Sequence, residues 1–292
     1  MLVLDIGGTK VAAARWTDGE LHGRRQWLMP ATLQGWRETL AVMARAYPEP
    51  DLVAAAVTGA TDGRVLSAVN RQLISFWDGY ALADALTQAW RCPAVLLNDA
   101  QAAAWGEFVA SGRQPANLLF MTLSTGVGGG LVLDGQLRSG VRGLAGHIGH
   151  MGSGLEPLDG DTRCGCGRLN CLEALASGTA LARQASHLLG RPLDTESVFA
   201  GWHAGDAVCR RLLERAAQAV AQALADAHAL LDLDEVRLGG SVGLALGMID
   251  AIRHAQQALP ARFRVAVSPA RLGADAGLTG MGHWASNRLG AP

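Results

Sequence analysis

Three of the chain's five cysteines sit in Cys164-Gly165-Cys166-Gly167-Arg168-Leu169-Asn170-Cys171, a Cys-x-Cys-x4-Cys run. Its neighbours are glycine and arginine rather than apolar residues, so these thiols do not read as packing groups. Three thiolates on one short loop make three of the four ligands of a tetrahedral zinc ion. His150, in Gly146-His147-Ile148-Gly149-His150, is the best upstream candidate for the fourth. A Cys3His set closes the coordination sphere, so the ion is structural: it pins an irregular glycine-rich stretch that has little core of its own. The odd cysteine count argues against a disulfide framework. Cys92 and Cys209 lie among apolar residues and read as core.

A second set of residues suits phosphate chemistry. The turns Asp5-Ile6-Gly7-Gly8-Thr9-Lys10 and Ser124-Thr125-Gly126-Val127-Gly128-Gly129-Gly130 each follow an apolar strand and offer hydroxyls and bare backbone N–H groups. No Gly-x-x-x-x-Gly-Lys-Ser/Thr string is present, which sets aside the P-loop. Both turns run from strand to strand rather than from strand to helix, which sets aside the dinucleotide fingerprint. Two such loops facing one another would grip a triphosphate from both sides. Asp5 would hold a metal ion through water and Lys10 would add positive charge. Gly239-Gly240-Ser241, after a third apolar strand, is a further loop of this kind. Asp99 follows a buried strand and Asn98, where a helix begins. A helix N-terminus favours an ionised carboxylate, and a strand end can face a cleft. On local pattern alone, Asp99 is equally a helix cap.

These residues need elements to carry them. Strands are expected over 2–5, 10–16, 21–28, 53–57, 94–97, 118–123, 131–133, 235–238 and 263–267. Helices are expected over 32–46, 78–90, 99–110, around 172–190, 206–231, 244–258 and 275–288. The order strand, Gly turn, strand, Asp-Gly hairpin, strand occurs at the start and again from Leu118, so the chain reads as two related hairpin-led domains. The composition sets limits on function. With a net charge of −1, there is no basic field for nucleic acid. No apolar run reaches the roughly 18 residues of a membrane span. The chain opens without a basic leader region, so a cytoplasmic protein is expected. Glycine is the one strong deviation: 37 residues, nearly twice the usual share of about 7%. They cluster after strands, where backbone must come close to something.

Taken in order, the Asp5–Lys10 turn, Asn98-Asp99, the Ser124–Gly130 loop, Gly146-His147-Ile148-Gly149-His150, the cysteine run with Glu173 and Gly239-Gly240-Ser241 resemble the ROK family (repressors, open reading frames, kinases) over nearly the whole chain. The resemblance implies an α/β, two-lobed actin-like ATPase (ribonuclease H-like) fold with a central cleft. Residues 1–115 would form the N-terminal lobe, completed by a C-terminal helix over 275–292. Residues 116–274 would form the C-terminal lobe with the zinc loop. It implies ATP, Mg²⁺ and a structural Zn²⁺. Asp99 would be the general base, and Asn98, Asp99, Gly59, Asn70, His147, His150 and Glu173 would meet the sugar. Asp5, Gly7, Gly8, Thr9, Lys10, Thr125, Gly126, Gly128, Gly239 and Gly240 would meet ATP. His150, Cys164, Cys166 and Cys171 would hold zinc.

Glucose-type members of the family carry Glu where His147 stands; members acting on N-acetylmannosamine carry His. N-acetylmannosamine is therefore the expected substrate, phosphorylated at its 6-hydroxyl in sialic acid and amino-sugar catabolism. Gly143 and Gly146 are expected to leave room for its acetamide. Glucose and N-acetylglucosamine are the alternatives. A sugar-responsive repressor is less expected, because the first phosphate-loop strand begins within the first five residues and leaves no room for a helix-turn-helix before it. Small-molecule sugar and ATP are the expected partners, with no nucleic acid, no membrane and a homodimer by family habit.

Overall fold

The strand β1 (Leu2–Ile6) is apolar at every position but Asp5, and it is central to its sheet. The computed structural model describes residues 1–69 and 76–289. The chain divides into two compact units, one of residues 1–114, 137–145 and 274–292, the other of residues 115–136 and 146–273.

In the first unit β1 is followed by β2 (Lys10–Thr17) and β3 (Glu20–Leu28), then α1 (Leu33–Ala46), β4 (Val53–Val57), a small hairpin of β5 (Ala60–Thr61) and β6 (Leu66–Ser67), α2 (Leu82–Trp90), β7 (Ala94–Asn98) and α3 (Asp99–Ala110). The sheet order is β3-β2-β1-β4-β7. The β2–β3 turn at Asp18-Gly19 takes positive φ at both residues, 54° and 86°, as a two-residue hairpin loop requires. Strands β1, β4 and β7 run parallel, with Ile6 beside Val57 and Val57 beside Asn98. Their C-terminal ends therefore lie side by side, the usual place for a ligand in such sheets.

Strand alternation sends Leu2, Leu4 and Ile6 into a core with Trp36, Leu40 and Met43 of α1 and Leu82 and Leu86 of α2. Val3 points the other way, into a core with Ala102 of α3 and with Leu278 and Met281 of α9 (Ala276–Leu289). Asp5 shares that face. The C-terminal helix comes very close: a Cβ on Gly277 would lie 2.6 Å from Asp5 Oδ2, and one on Gly280 would collide with Ala102 O.

The second unit repeats the plan. Strands β8 (Leu118–Leu123), β9 (Val127–Leu133) and β10 (Gln136–Arg138) are followed by α4 (Leu172–Ala176), α5 (Gly178–Leu189), α6 (Thr195–His203), α7 (Ala207–Leu231), β11 (Glu235–Gly239), α8 (Met248–Gln256) and β12 (Ala266–Pro269). The sheet order is β10-β9-β8-β11-β12, with β8, β11 and β12 parallel and β9 antiparallel to β8. The repeat expected from the sequence is thus present as two sheets of matching order.

Several boundaries differ from expectation, among them those of α8 and β12, which begin at Met248 and Ala266 rather than at 244 and 263. Strand β9 begins at Val127, not at 131, so Gly128, Gly129 and Gly130 are strand residues paired with Thr122, Met121 and Phe120. Glycine is needed there for close packing, since a Cβ on Gly129 would lie 2.6 Å from Gly146 O. Helix α6 is not foreshadowed by the periodicity; Asp194 starts it by accepting a hydrogen bond from Ser197 N at 2.8 Å. Helix α2 begins at Leu82, four residues later than expected.

Candidate active site and metal centre

At the end of β7 the chain turns directly into α3. Asn98 is the N-cap: its Oδ1 accepts from Gln101 N at 3.1 Å. Its Nδ2 donates to Gly59 O and to Asp99 Oδ1, both at 3.0 Å, and the residue is 4% exposed. Gly59 has φ +101°, and a Cβ there would lie 2.9 Å from Ser67 O, so this position needs glycine. The Asp99 carboxylate accepts from Thr58 Oγ1 at 2.8 Å and from Ala100 N at 2.8 Å. Thr58 follows β4 just as Asp99 follows β7. Sequence reasoning misses it, although a polar residue directly after a buried strand is the available signal. Asn70 lies outside the described residues.

Helix position and hydrogen bonds favour ionised Asp99, but burial outweighs them and raises its pKa. Burial thus opposes the helix start in setting its charge. Asp5 is also shifted, raised from 3.8 to about 7 by burial first and by the Asp99 charge second, with Arg24 opposing. Both carboxyl groups keep a small open face while the surrounding protein strips most of their hydration. A buried acid of this kind beside a second one is suited to a divalent cation, whose charge favours the deprotonated form. Asp5 therefore fits the Mg²⁺ that a phosphate-transferring site requires.

The raised pKa has a consequence for stability. Between pH 3.8 and about 7 the native protein holds a proton on Asp5 that the unfolded chain has released, so stability falls as pH rises through that window. Asp5→Asn removes the cost. Urea denaturation of the nucleotide-free variant at about pH 8 is expected to give a stability above wild type by up to ~4 kcal/mol, vanishing near pH 3.5. An equal gain at both pH values would count against the titration.

The β1–β2 turn is tight: Gly7 N donates to Lys10 O at 2.9 Å, and Thr9 and Lys10 are exposed at its tip beside Gly8. In the second unit, Ser124, Thr125, Thr179, Asp194, Thr195 and Ser241 line a recess of about 390 Å³ that Gly178 also borders. Gly240 has φ +83°, and a Cβ on it would collide with Leu123 O, so Gly239-Gly240 packs tightly under this recess. Ser124, Thr125 and Ser241 belong to loops named from the sequence. Thr179, Asp194 and Thr195 come from two further segments that only the fold brings to them. A Cβ on Gly126 would lie 2.7 Å from Glu173 Oε2, and Glu173 also accepts from Val127 N at 3.0 Å. Gly128 lies in β9 opposite Thr122.

His150, Cys164, Cys166 and Cys171 come together, their ligand atoms all within 4.8 Å of one another. Cys164 Sγ is 3.6 Å from His150 Nδ1, and Cys166 Sγ is 3.7 Å from Cys171 Sγ. A tetrahedral zinc ion with Zn–S of about 2.3 Å and Zn–N of about 2.0–2.1 Å has edges of about 3.6 Å (S to N) and about 3.8 Å (S to S). The donor set fits that ion, with Nδ1 as the histidine ligand. Burial raises the Cys164 and Cys171 thiols and lowers His150. The surroundings thus favour neutral donors until a cation supplies charge. Arg168 donates to His150 O at 2.7 Å, and Glu173 Oε1 lies 3.7 Å from Cys164 Sγ. The His147 ring stacks on that of His150, with centroids 6.2 Å apart and 22° between planes.

One expectation fails here. Gly143 and Gly146 do not leave room for a ligand. A Cβ on Gly143 would lie 2.5 Å from Thr61 O, and one on Gly146 2.8 Å from Gly130 Cα. Backbone already fills both spaces.

The ROK family pattern matches residues 1–288. An N-acetylmannosamine kinase of Yersinia pseudotuberculosis serotype O:1b (strain IP 31758) is 43% identical over 296 residues, covering 99% of each chain. Among solved structures, a ROK hexokinase from Thermus thermophilus is 34% identical with a TM-score of 0.83, covering 99% of this chain and 100% of that one. A ROK family glucokinase from Streptomyces griseus, in complex with glucose and AMPPNP, is 28% identical with a TM-score of 0.81, covering 98% and 99%. The fold is the α/β actin-like ATPase fold of these kinases.

Proposed function

The chain belongs to the ROK family, and we propose that it is an ATP-dependent sugar kinase acting on the 6-hydroxyl of N-acetylmannosamine. The observation that carries the reading is the Asp99 carboxyl, fixed by Thr58 Oγ1 and Asn98 Nδ2 at the strand ends with its pKa raised by burial. A carboxylate of raised pKa is a better proton acceptor, which a general base for a hydroxyl must be. The identity of the sugar is supported by the full-length relatives that bear its name.

In this scheme Asp99 takes the proton of the 6-hydroxyl as that oxygen attacks the γ-phosphorus, and ADP leaves. Asn98, Gly59, Asn70, Glu173, His147 and His150 are assigned to the sugar. For Asn98 this leaves the second lone pair of Oδ1, since both amide hydrogens are spent on Gly59 O and Asp99. Gly7, Gly8, Thr9, Lys10, Thr125, Gly126, Gly128, Gly239 and Gly240 are assigned to ATP, with Asp5 on its Mg²⁺. Phosphoryl transfer is mostly positioning and electrostatics, and Mg²⁺ supplies positive charge on the phosphates. Zinc has no part in the reaction; its ligand His150 is held where it also borders the sugar. We assign residues 1–115 with 275–292 to one lobe and 116–274 to the other, apart from residues 137–145, which pack with the first unit. No helix among the described residues is long and apolar enough to cross a membrane. A cytoplasmic homodimer in sialic acid and amino-sugar catabolism completes the proposal.

Initial rates on a small hexose panel test the sugar. The kcat/KM for N-acetylmannosamine is expected to exceed those for N-acetylglucosamine and glucose by about tenfold or more, the size of one or two buried polar groups left unpaired. His147→Glu is expected to shift the ranking towards glucose, because a carboxylate accepts where neutral imidazole both donates and accepts. Equal rates on all three sugars would leave the kinase and remove its sugar. An unaltered ranking in His147→Glu would move the discrimination to another residue.

A further inference from the structure

We propose that Gln101 is a positioning residue for sugar binding, holding residues 139–145 as a wall beside Asp99; the sugar part rests on the kinase reading above. Gln101 lies one helical turn or less from Asp99 and is 1% exposed, a costly place for an amide unless its hydrogens are used. They are: Nε2 lies 2.9 Å from Ala145 O and 3.2 Å from both Ser139 O and Gly143 O. One side chain thus anchors three carbonyls of a single loop. The loop's own backbone bonds are long, Ala145 N to Ser139 O at 3.2 Å and Gly143 N to Gly140 O at 3.3 Å. Its other support is the packing of Gly143 against Thr61, three residues after the Thr58 that holds Asp99.

The loop and the base therefore share both of their supports, the first turn of α3 and residues 58–61. Held this way, the loop presents Val141 and Leu144 outward, 99% and 51% exposed. An exposed apolar surface on this loop suits the acyl methyl of an N-acetylated sugar better than a bare hydroxyl. Losing the anchor frees the loop without touching Asp99, whose own bonds run to Thr58, Asn98 and Ala100. The effect should fall on sugar affinity and spare the chemical step.

The test uses full-length Gln101→Leu and Gln101→Asn. Leu matches the bulk and removes the amide, whereas Asn keeps the amide one methylene short. Hydrogen exchange of the 139–145 peptide should speed up in both. The KM for N-acetylmannosamine should rise about tenfold in Gln101→Leu, as expected for one or two lost neutral hydrogen bonds, and less in Gln101→Asn. The KM for ATP and kcat should stay within about threefold of wild type. Unchanged loop exchange, or an unchanged sugar KM in a folded variant, would overturn the proposal. So would a parallel rise in both KM values with a collapse of kcat, which general damage produces. If Gln101→Leu does not fold, Gln101→Asn carries the same readouts. If wild type turns over a different hexose, the substrate assignment fails and the KM split is read on that hexose. If it turns over none, the kinase reading fails and loop exchange alone decides the anchor.

Discussion

Asp99→Asn is expected to lower kcat by about 10² to 10⁴, the usual worth of a general base, with the KM for ATP close to wild type. The substitution suits the site. Asn can still accept from Ala100 N and can donate to Thr58 Oγ1, the groups that now bond the carboxylate at 2.8 Å each. Shape and packing persist while the proton acceptor is lost. A second readout comes from Asp5, whose pKa the Asp99 charge helps to raise. In Asp99→Asn the Asp5 carboxyl should ionise more readily, and the stability of nucleotide-free protein should depend less steeply on pH above 3.8. Steady-state kinetics and urea denaturation across pH measure the two effects separately. A change confined to the sugar KM would make Asp99 a ligand and leave the base unidentified.

Around Asp99 the amino-acid pattern and the fold agree closely. Its strand, 94–97 by the sequence pattern, and its helix, 99–110, are a short continuous apolar run and a longer Ala-rich one, told apart by length and composition, and both form nearly as expected. The hairpin-led repeat is legible for a related reason, through two Asp-Gly turns whose positive φ few other pairs accept. Thr58 and Gln101 are not legible. Each matters through a partner distant in sequence, 41 residues away for Thr58 and 38 to 44 for Gln101, and no local pattern encodes such a partner. The glycines mislead in one respect. At 129, 143 and 146 they serve close backbone packing rather than open space, a distinction that depends on what lies opposite. The balance of charge on Asp99 escapes the sequence because a helix start is visible there and the extent of desolvation is not.

The zinc cluster carries the other large expected effect. Cys166→Ser should remove the metal, about one zinc per chain in wild type, lower the melting temperature and abolish most activity. The reason lies in how little else holds this segment. Between the turn at Ile148–His150 and α4, regular pairing among the described residues amounts to two isolated bridges, Gly152 with Cys171 and Arg163 with Leu169. The local apolar cluster consists of Cys164, Cys171 and Ala174 with Cys166 packed against them, so the ligands are themselves the core. Arg183 adds ion pairs to Asp159 at 3.2 Å and Asp161 at 3.0 Å, which fix one edge but not the centre. Binding free energy at such a site is folding free energy. Its loss should also release Glu173 and His150, which the same cluster orients. Cys209→Ser is the control. That thiol is buried beside Gly201, away from the cluster, and its replacement should leave the metal in place. Metal analysis and thermal denaturation of the two variants decide the matter: full zinc content in Cys166→Ser would sink the assignment. Metal lost with stability and kinetics intact would instead show that the loop needs no ion to hold its shape.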